Sequence, residues 1–240
     1  MELKICHLYP DVLGLTGDRG NLMCLVKRLQ WRGIEVSVTG VKVGETLHAA
    51  DFDLFFLGGG EDFDHAVLAE DLAGGKAAEI RSAVEAGKTF LAICGGYQIL
   101  GKDCKILSGE TYEFTGALDV HTEMRKERLI GNVLFSCQEA GEVVGFENHG
   151  GYTTLGEGVK SLGTMLCGKG NNGADGTEGA RYKNVFASYS HGSLLPKNPK
   201  LADLILETAL QHKYGDVQLP DLDDKLETAA HAYMTARLQK

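Results

Sequence analysis

The first hundred residues alternate between short apolar runs and stretches in which apolar residues recur every three or four positions. Short apolar runs are typical of buried strands, and the second spacing is typical of amphipathic helices. The pattern predicts strands at 3–8, 34–43, 53–57 and 89–93, and helices at 21–30 and 77–86. Such alternation is typical of an α/β fold, with a doubly wound, mostly parallel sheet and helices on both faces.

The second half of the chain has a different pattern. Residues 105–189 contain short β-rich segments and many glycines, with little helical spacing. We expect these segments to add strands and loops to the same sheet, without forming a second domain. Two amphipathic helices are predicted at 201–212 and 221–238. We therefore expect one domain over residues 1–214 and a helical C-terminal extension, 215–240, packed on its outside.

The most informative segment is KTFLAICGGYQILG, at residues 88–101. Its run at 89–93 predicts a strand buried on both faces, and Cys94, two glycines and a helix-compatible run follow. A nucleophile on such a turn exposes its side chain, and nearby backbone N–H groups point at the same place. The helix N-terminus would also lower the pKa of the thiol. We expect Cys94 to be a nucleophile; the alternative is a cysteine packed as a small hydrophobe.

A cysteine nucleophile needs a general base, which is usually histidine. Among the eight histidines, His191 follows the strand-like run VFASYS at 185–190 and begins a loop. Functional groups gather at the carboxyl ends of strands in an open parallel sheet, where Cys94 is also expected. A structural histidine at the strand end is the alternative. His149, in ENHGG, is the competing base and is expected to line the site.

Acyl transfer also requires an oxyanion hole. The segment Gly58-Gly59-Gly60 follows a predicted strand, and its bare backbone could approach the substrate carbonyl. We expect the N–H groups of Gly60 and Gly95 to hold the oxyanion. An ordinary tight turn is the alternative for the three glycines.

Two further glycine segments resemble nucleotide-binding motifs without their context. AGKT, at 86–89, lacks the first glycine of a P-loop, because Ser82 stands there, and it lies between a helix and a strand in the wrong order. GKGNNG, at 168–173, is not followed by a predicted helix. We therefore expect no cofactor on this chain.

Composition narrows the class of protein. The 240 residues are 43% hydrophobic, enough for a full core, and the net charge of −9 argues against a nucleic-acid groove. The N-terminus lacks the features of a signal peptide, and no run reaches the ~18–20 apolar residues of a membrane span. The six scattered cysteines include no Cys-x-x-Cys pair. We expect reduced thiols, no metal site and a cytoplasmic location.

Several motifs carry a specific resemblance. ICGGYQ, at 93–98, resembles the nucleophile motif of class I (triad-type) glutamine amidotransferases, whose fold is flavodoxin-like, and AICGGYQILG is similar to their cobyric-acid-synthase-like branch. Over about residues 3–212, further segments resemble the glutaminase subunits of lipid II isoglutaminyl synthases. They are YPD at 9–11, GDRGN at 17–21, QWRG at 30–33, FENHGG at 146–151, YSHG at 189–192 and LPKNP at 195–199.

The resemblance implies a glutaminase that releases ammonia from L-glutamine through a thioester on Cys94. It implies a heterodimer with a Mur-ligase-like subunit (MurT), which would use ATP and magnesium to amidate the D-glutamate of the peptidoglycan stem peptide. The complex would work at the inner face of the membrane, where its lipid-linked substrate lies. Arg128 matches the family position that binds the glutamine carboxylate; a solvated loop is the alternative. Gln98 is expected to contact the substrate or to support the strand–helix turn at Cys94, called the elbow below.

One position departs from the family pattern. Ser193 stands where many triad-type amidotransferases have a glutamate that orients the histidine. The third residue of a cysteine–histidine–carboxylate triad is therefore missing, supplied by another carboxylate, or unnecessary. The cobyric-acid-synthase-like branch generally lacks this glutamate too. Three rival functions stay open: a stand-alone cysteine hydrolase or peptidase, an amidotransferase of another cobyric-acid-synthase-like pathway, and a non-catalytic binding subunit.

Overall fold

A computed structural model describes residues 1–13, 18–60 and 65–239. Gly17, in the GDRGN segment, lies outside the described residues. The strands are β1 (Glu2–Leu8), β2 (Glu35–Val41), β3 (Leu54–Leu57), β4 (Thr89–Ile93), β5 (Asp103–Lys105), β6 (Thr111–Glu113), β7 (Val120–Cys137), β8 (Gly141–Leu155), β9 (Gly163–Cys167), β10 (Thr177–Glu178), β11 (Ala180–Tyr182), β12 (Val185–Ser188) and β13 (Ser190–His191). The helices are α1 (Arg19–Trp31), α2 (His65–Asp71), α3 (Ala77–Glu85), α4 (Gly95–Leu100), α5 (Pro199–Tyr214) and α6 (Lys225–Leu238).

The first sheet has six strands in the order β11-β12-β4-β3-β1-β2. Every neighbouring pair is parallel except β11 with β12. The central strands β3, β4 and β12 are buried at every position, as strands covered on both faces require. Phe55 and Phe90 stack between β3 and β4 with ring centres 4.4 Å apart. The predicted α/β fold with a mostly parallel sheet is confirmed.

The prediction that residues 105–189 extend this sheet is wrong for most of them. Only β11 and β12 join it, and the other strands form a second sheet of seven strands, antiparallel except for β5 with β7. Its long pair is β7 with β8, of 18 and 15 residues. The charged run 125–128 falls in a bulge of β7 between Met124 and Leu129. This bulge and the glycines of β8 interrupt the alternation of apolar and polar residues. In the sequence, the two long strands therefore resemble several short ones.

The two sheets meet at the end of β12. After Ser188 the chain leaves the first sheet, and two residues later it enters the second sheet as β13. There Ser190 pairs with Glu147 of β8, and His191 pairs with Phe146. The carboxyl end of β12 lies beside that of β4, since these strands are parallel neighbours. This crossing between sheets brings His191 to the edge at which β4 ends.

A buried ion-pair cluster holds the C-terminal segment on the fold. The Arg28 guanidinium of α1 is buried and donates to the carboxylates of Asp203, in α5, and Asp224, just before α6, at 2.7 Å each. Helix α6 itself has no buried residue. Among the described residues, no helix combines the length and apolar character that crossing a membrane requires.

Candidate active site

Cys94 stands between the end of β4 and the start of α4. Its φ of 50° and ψ of −106° lie outside the regions that non-glycine residues usually occupy, which is the strained geometry of a nucleophile elbow. Its N–H donates to the carbonyl of Ser188 at 2.9 Å, so the elbow is tied to the last residue of β12. The residue as a whole is 8% exposed, so it is more buried than the sequence motif predicts. The structure therefore has the strand–cysteine–helix turn that the sequence predicts.

The glycine segment 58–60 lies against this elbow. Gly96 donates its N–H to the carbonyl of Gly58 at 3.0 Å, and a Cβ at Gly96 would lie 2.6 Å from the Cβ of Leu57. A Cβ at Gly95 would lie 3.0 Å from the backbone nitrogen of Gly60. A side chain at position 96 would clash with β3, whereas one at position 95 would require a shift of a few tenths of an ångström. The backbones of Gly60 and Gly95 are thus neighbours, the arrangement that a shared oxyanion hole needs.

His191 is a buried histidine beside the elbow. Its Nδ1 lies 3.3 Å from Oδ2 of Asp18. Its Nε2 makes no hydrogen bond of regular geometry within the described residues, so this atom is available to exchange a proton with the nearby Cys94 thiol. Burial alone would lower the pKa of His191, but the negative charges of Cys94 and Asp18 outweigh it and raise that pKa to about 10. The arrangement therefore favours the imidazolium form of His191.

Asp18 is a candidate site residue that the sequence did not single out. Its carboxylate is fully buried, and the same oxygen that faces His191 accepts the N–H of Gly59 at 2.9 Å. Of the alternatives left open by Ser193, this geometry favours a carboxylate from another part of the chain. A sequence signal was present, because Asp18 lies in the GDRGN segment. Its spacing from His191 gave no indication that the two would meet.

The rest of the GDRGN segment holds the loop that follows His191. A Cβ at Gly20 would lie 2.0 Å from Oγ of Ser193, so only glycine allows this loop to pack on α1. Asn21 accepts the N–H of Leu195 on its side-chain oxygen at 2.9 Å. Three neighbouring residues of one segment therefore orient the histidine and fix the loop behind it.

His149, the competing base, has a different environment. Its Nδ1 lies 2.7 Å from the carbonyl of Gly151, and its ring stacks on Tyr189 with centres 3.7 Å apart. Burial lowers the pKa of His149 to about 4, and the charges of His191 and Arg128 act in the same direction. His149 is thus a neutral ring at ordinary pH, fixed by its neighbours. This environment favours His191 as the base.

Gln98 is buried in helix α4, with both ends of its amide engaged. Its Oε1 lies 3.0 Å from Nε2 of His65, and its Nε2 donates to the Tyr189 hydroxyl at 3.2 Å. These contacts favour a brace between the elbow helix and Tyr189 over direct contact with substrate.

Arg128 lies in the β7 bulge, and its guanidinium is ordered by Asn148. Nε donates to the Asn148 side-chain oxygen and Nη2 to the Asn148 carbonyl, each at 3.0 Å. Its Nη1 is 3.7 Å from the position that a Cβ of Gly150 would occupy. The side chain is exposed, but it is held beside His149. A fixed guanidinium there fits carboxylate binding better than a solvated loop does.

The glycine loop at 168–173 has a structural explanation. It connects β9 to β10, and Lys169 and Gly170 donate their N–H groups to the Glu147 carboxylate at 2.8 Å each. A hairpin loop tied to a buried carboxylate does not offer these donors to a phosphate. Within the described residues, no three His, Cys, Asp or Glu side chains are grouped to hold a metal ion.

The comparison with protein families agrees with this geometry. The profile of the CobB/CobQ-like glutamine amidotransferase domain matches residues 4–199. The chain belongs to this family. Proteins similar to it include the lipid II isoglutaminyl synthase (glutamine-hydrolyzing) subunit GatD of Staphylococcus aureus, which is 37% identical over 239 residues, 100% of this chain and 97% of that protein.

A second relative gives the same picture. The protein of the same name from Streptococcus pneumoniae is 38% identical over 228 residues, 94% of this chain and 87% of that protein. Among solved structures, that of PurLQS from Thermotoga maritima superimposes with a TM-score of 0.59 and 21% identity, over 89% of this chain and 100% of that chain. At this identity the similarity concerns the fold alone.

Proposed function

We propose that this protein is the glutaminase subunit of a lipid II isoglutaminyl synthase. The observation that carries the proposal is the meeting of Cys94, His191 and Asp18 at one edge of the sheet, beside the Gly58–Gly60 loop. Similarity over nearly the whole length of two GatD proteins supports the same activity. A stand-alone cysteine hydrolase would also use this site, so the assay that separates the two is glutamate release from L-glutamine.

The mechanism follows from the geometry and from general chemistry. The Cys94 thiolate attacks the side-chain amide carbon of glutamine, and the N–H groups of Gly60 and Gly95 hold the oxyanion. The His191 imidazolium gives its proton to the departing ammonia, which leaves a thioester. Neutral His191 then takes a proton from water, and the hydroxide releases glutamate and the thiolate. Asp18 orients the ring throughout through Nδ1.

Replacing Arg128 with alanine is expected to lower kcat/KM for glutamine by about 10²-fold, because a guanidinium fork to the substrate carboxylate is lost. Steady-state glutamate release measures the effect. The matched control is Arg125→Ala in the same bulge, an exposed arginine that pairs with Glu123 at 2.9 Å. Equal kinetics for the two variants would return Arg128 to the solvated-loop interpretation.

An exposed apolar area near the site supports a partner subunit. His191 of β13 is opposite Phe146 of β8, so their side chains lie on one face of the sheet. Asn132 of β7 is opposite Phe146 from the other side, and Ile130 lies two residues away on the same face. Phe146 is 37% exposed and Ile130 59%. The ligase subunit that accepts ammonia would cover this face and shield the ammonia from water.

The isolated chain is expected neither to hydrolyse ATP nor to amidate a stem-peptide glutamate when glutamine is supplied. Neither glycine segment has the context of a nucleotide site: 86–89 joins the end of α3 to the start of β4, and 168–173 is a hairpin loop. A Mur-ligase-like subunit with ATP and magnesium should restore glutamine-dependent amidation, which mass spectrometry of the stem peptide measures.

A bypass experiment sharpens this prediction. In the complex, Cys94→Ala should block amidation from glutamine but not from added ammonium chloride, because only the ammonia source is lost. Amidation by the isolated chain with ATP would contradict the division of labour. Failure of ammonium to bypass Cys94→Ala would mean that the chain does more than supply ammonia.

A further inference from the structure

Glu178 is a buried carboxylate that the mechanism above does not use. It stands on β10 and is 1% exposed. One of its oxygens accepts three hydrogen bonds, from Oγ of Ser188 at 2.6 Å, from the N–H of Tyr189 at 2.9 Å and from Oγ of Ser190 at 3.4 Å. We propose that Glu178 is a positioning residue that fixes His191 relative to Cys94.

The three donors occupy the crossing between the two sheets. Ser188 ends β12, and its carbonyl accepts the N–H of Cys94 at 2.9 Å, so this end of the segment is attached to the nucleophile. Ser190 begins β13 and directly precedes His191. A short segment therefore has the nucleophile at one end and its base at the other. Glu178 binds all three residues of that segment, and this sets the distance between the two catalytic groups.

A single acceptor oxygen binds the whole crossing segment. The hydroxyls of Ser188 and Ser190 are two residues apart and reach it from the same side of the segment, together with the Tyr189 N–H between them. Burial raises the pKa of Glu178 to about 7, although the bonds from Ser188 and Tyr189 oppose the shift. The acceptor oxygen is needed in either protonation state, and glutamine offers the same oxygen.

Glu147 provides a matched control. It is also a buried carboxylate that accepts two backbone N–H groups, but its donors belong to the β9–β10 loop. Loss of either carboxylate should lower the unfolding midpoint. Only loss of Glu178 should also change the rate at which the Cys94 thiol is alkylated. A purely structural role for Glu178 would make Glu178→Ala and Glu147→Ala alike in every readout except the unfolding midpoint.

The test measures the dyad directly and rests on the roles proposed above for Cys94 and His191. The rate at which iodoacetamide alkylates Cys94, followed by mass spectrometry of its peptide across pH, reports how well the imidazolium stabilises the thiolate and needs no glutamine. Glu178→Ala should raise the midpoint of this profile by about one pH unit and lower kcat by about 10²-fold, with KM within about threefold of wild type. Glu178→Gln should restore kcat to within about fivefold.

Each outcome decides the proposal. A folded Glu178→Ala protein with the wild-type alkylation profile and kcat overturns it, and so does a change confined to KM. If Glu178→Ala does not fold, the double variant Ser188→Ala, Ser190→Ala removes two of the three donors and should produce the same shift; a wild-type profile there also overturns it. A shifted profile in a protein that does not hydrolyse glutamine would support the positioning role while the proposed function fails.

Discussion

Cys94→Ala is expected to lower the rate of glutamine hydrolysis by about 10⁴-fold or more, in a chain that remains folded. Without the sulfur no thioester forms, and only the binding and oxyanion contributions remain. Cys94→Ser should be nearly as inactive, since its hydroxyl is a much weaker nucleophile than a thiolate. Glutamate release in a coupled assay gives the rate, and circular dichroism with a thermal melt shows that the fold is intact.

The control for this variant is another cysteine. All six cysteines are free, and Cys167 lies half-buried on β9 in the second sheet. Cys167→Ser should hydrolyse glutamine at the wild-type rate. If a folded Cys94→Ala protein retained a tenth of the activity or more, the nucleophile would have to be sought elsewhere.

His191→Ala is expected to have the second largest effect, a loss of about 10³- to 10⁴-fold, while His149→Ala should cost less than about 10²-fold. The reason is electrostatic. The pKa of His191 is raised to about 10 by Cys94 and Asp18, so its ring is protonated when ammonia must leave, whereas burial lowers the pKa of His149 to about 4. Glutamate release by the two variants, at equal concentrations of folded protein, measures the difference.

The pH profile gives a second readout of the same assignment. Because the pKa of His191 is raised, the imidazolium persists through neutral pH and is lost as pH rises through about 10. The alkaline limb of kcat/KM should lie in that range, and Asp18→Asn should move it to lower pH by removing a charge that favours the protonated ring. A larger loss for His149→Ala than for His191→Ala would mean that the wrong histidine was chosen.

Local features of the sequence predicted the first sheet and the elbow well. The buried run before Cys94 and the glycines after it determine a strand and a turn within a dozen residues, so short-range pattern is sufficient there. The second sheet was not predicted, because β7 carries the exposed residues Arg125–Arg128 in its middle. A bulge of this kind interrupts the alternation on which strand prediction depends, and its cause is the pairing with β8, which lies outside the segment.

The contacts of the candidate site that the sequence did not predict are long-range. Asp18 and His191 are 173 positions apart, and the crossing between sheets is what brings them together. The amino-acid types of the GDRGN segment indicate a tight, polar turn, which is compatible with many roles. The sequence did not single out Glu178 either. Its three donors come together only after β12 and β13 have joined different sheets. Residue type limits the chemistry, but the pairing of distant strands selects the partners.

The two contacts of Asp18 connect the glycine loop of the proposed oxyanion hole to the proposed general base. One oxygen accepts from the Gly59 backbone and faces Nδ1 of His191, so the glycine loop and the base share a single anchor. In the mechanism proposed above, the oxyanion hole and the general base therefore depend on one carboxylate, and a substitution at Asp18 should disturb both at once.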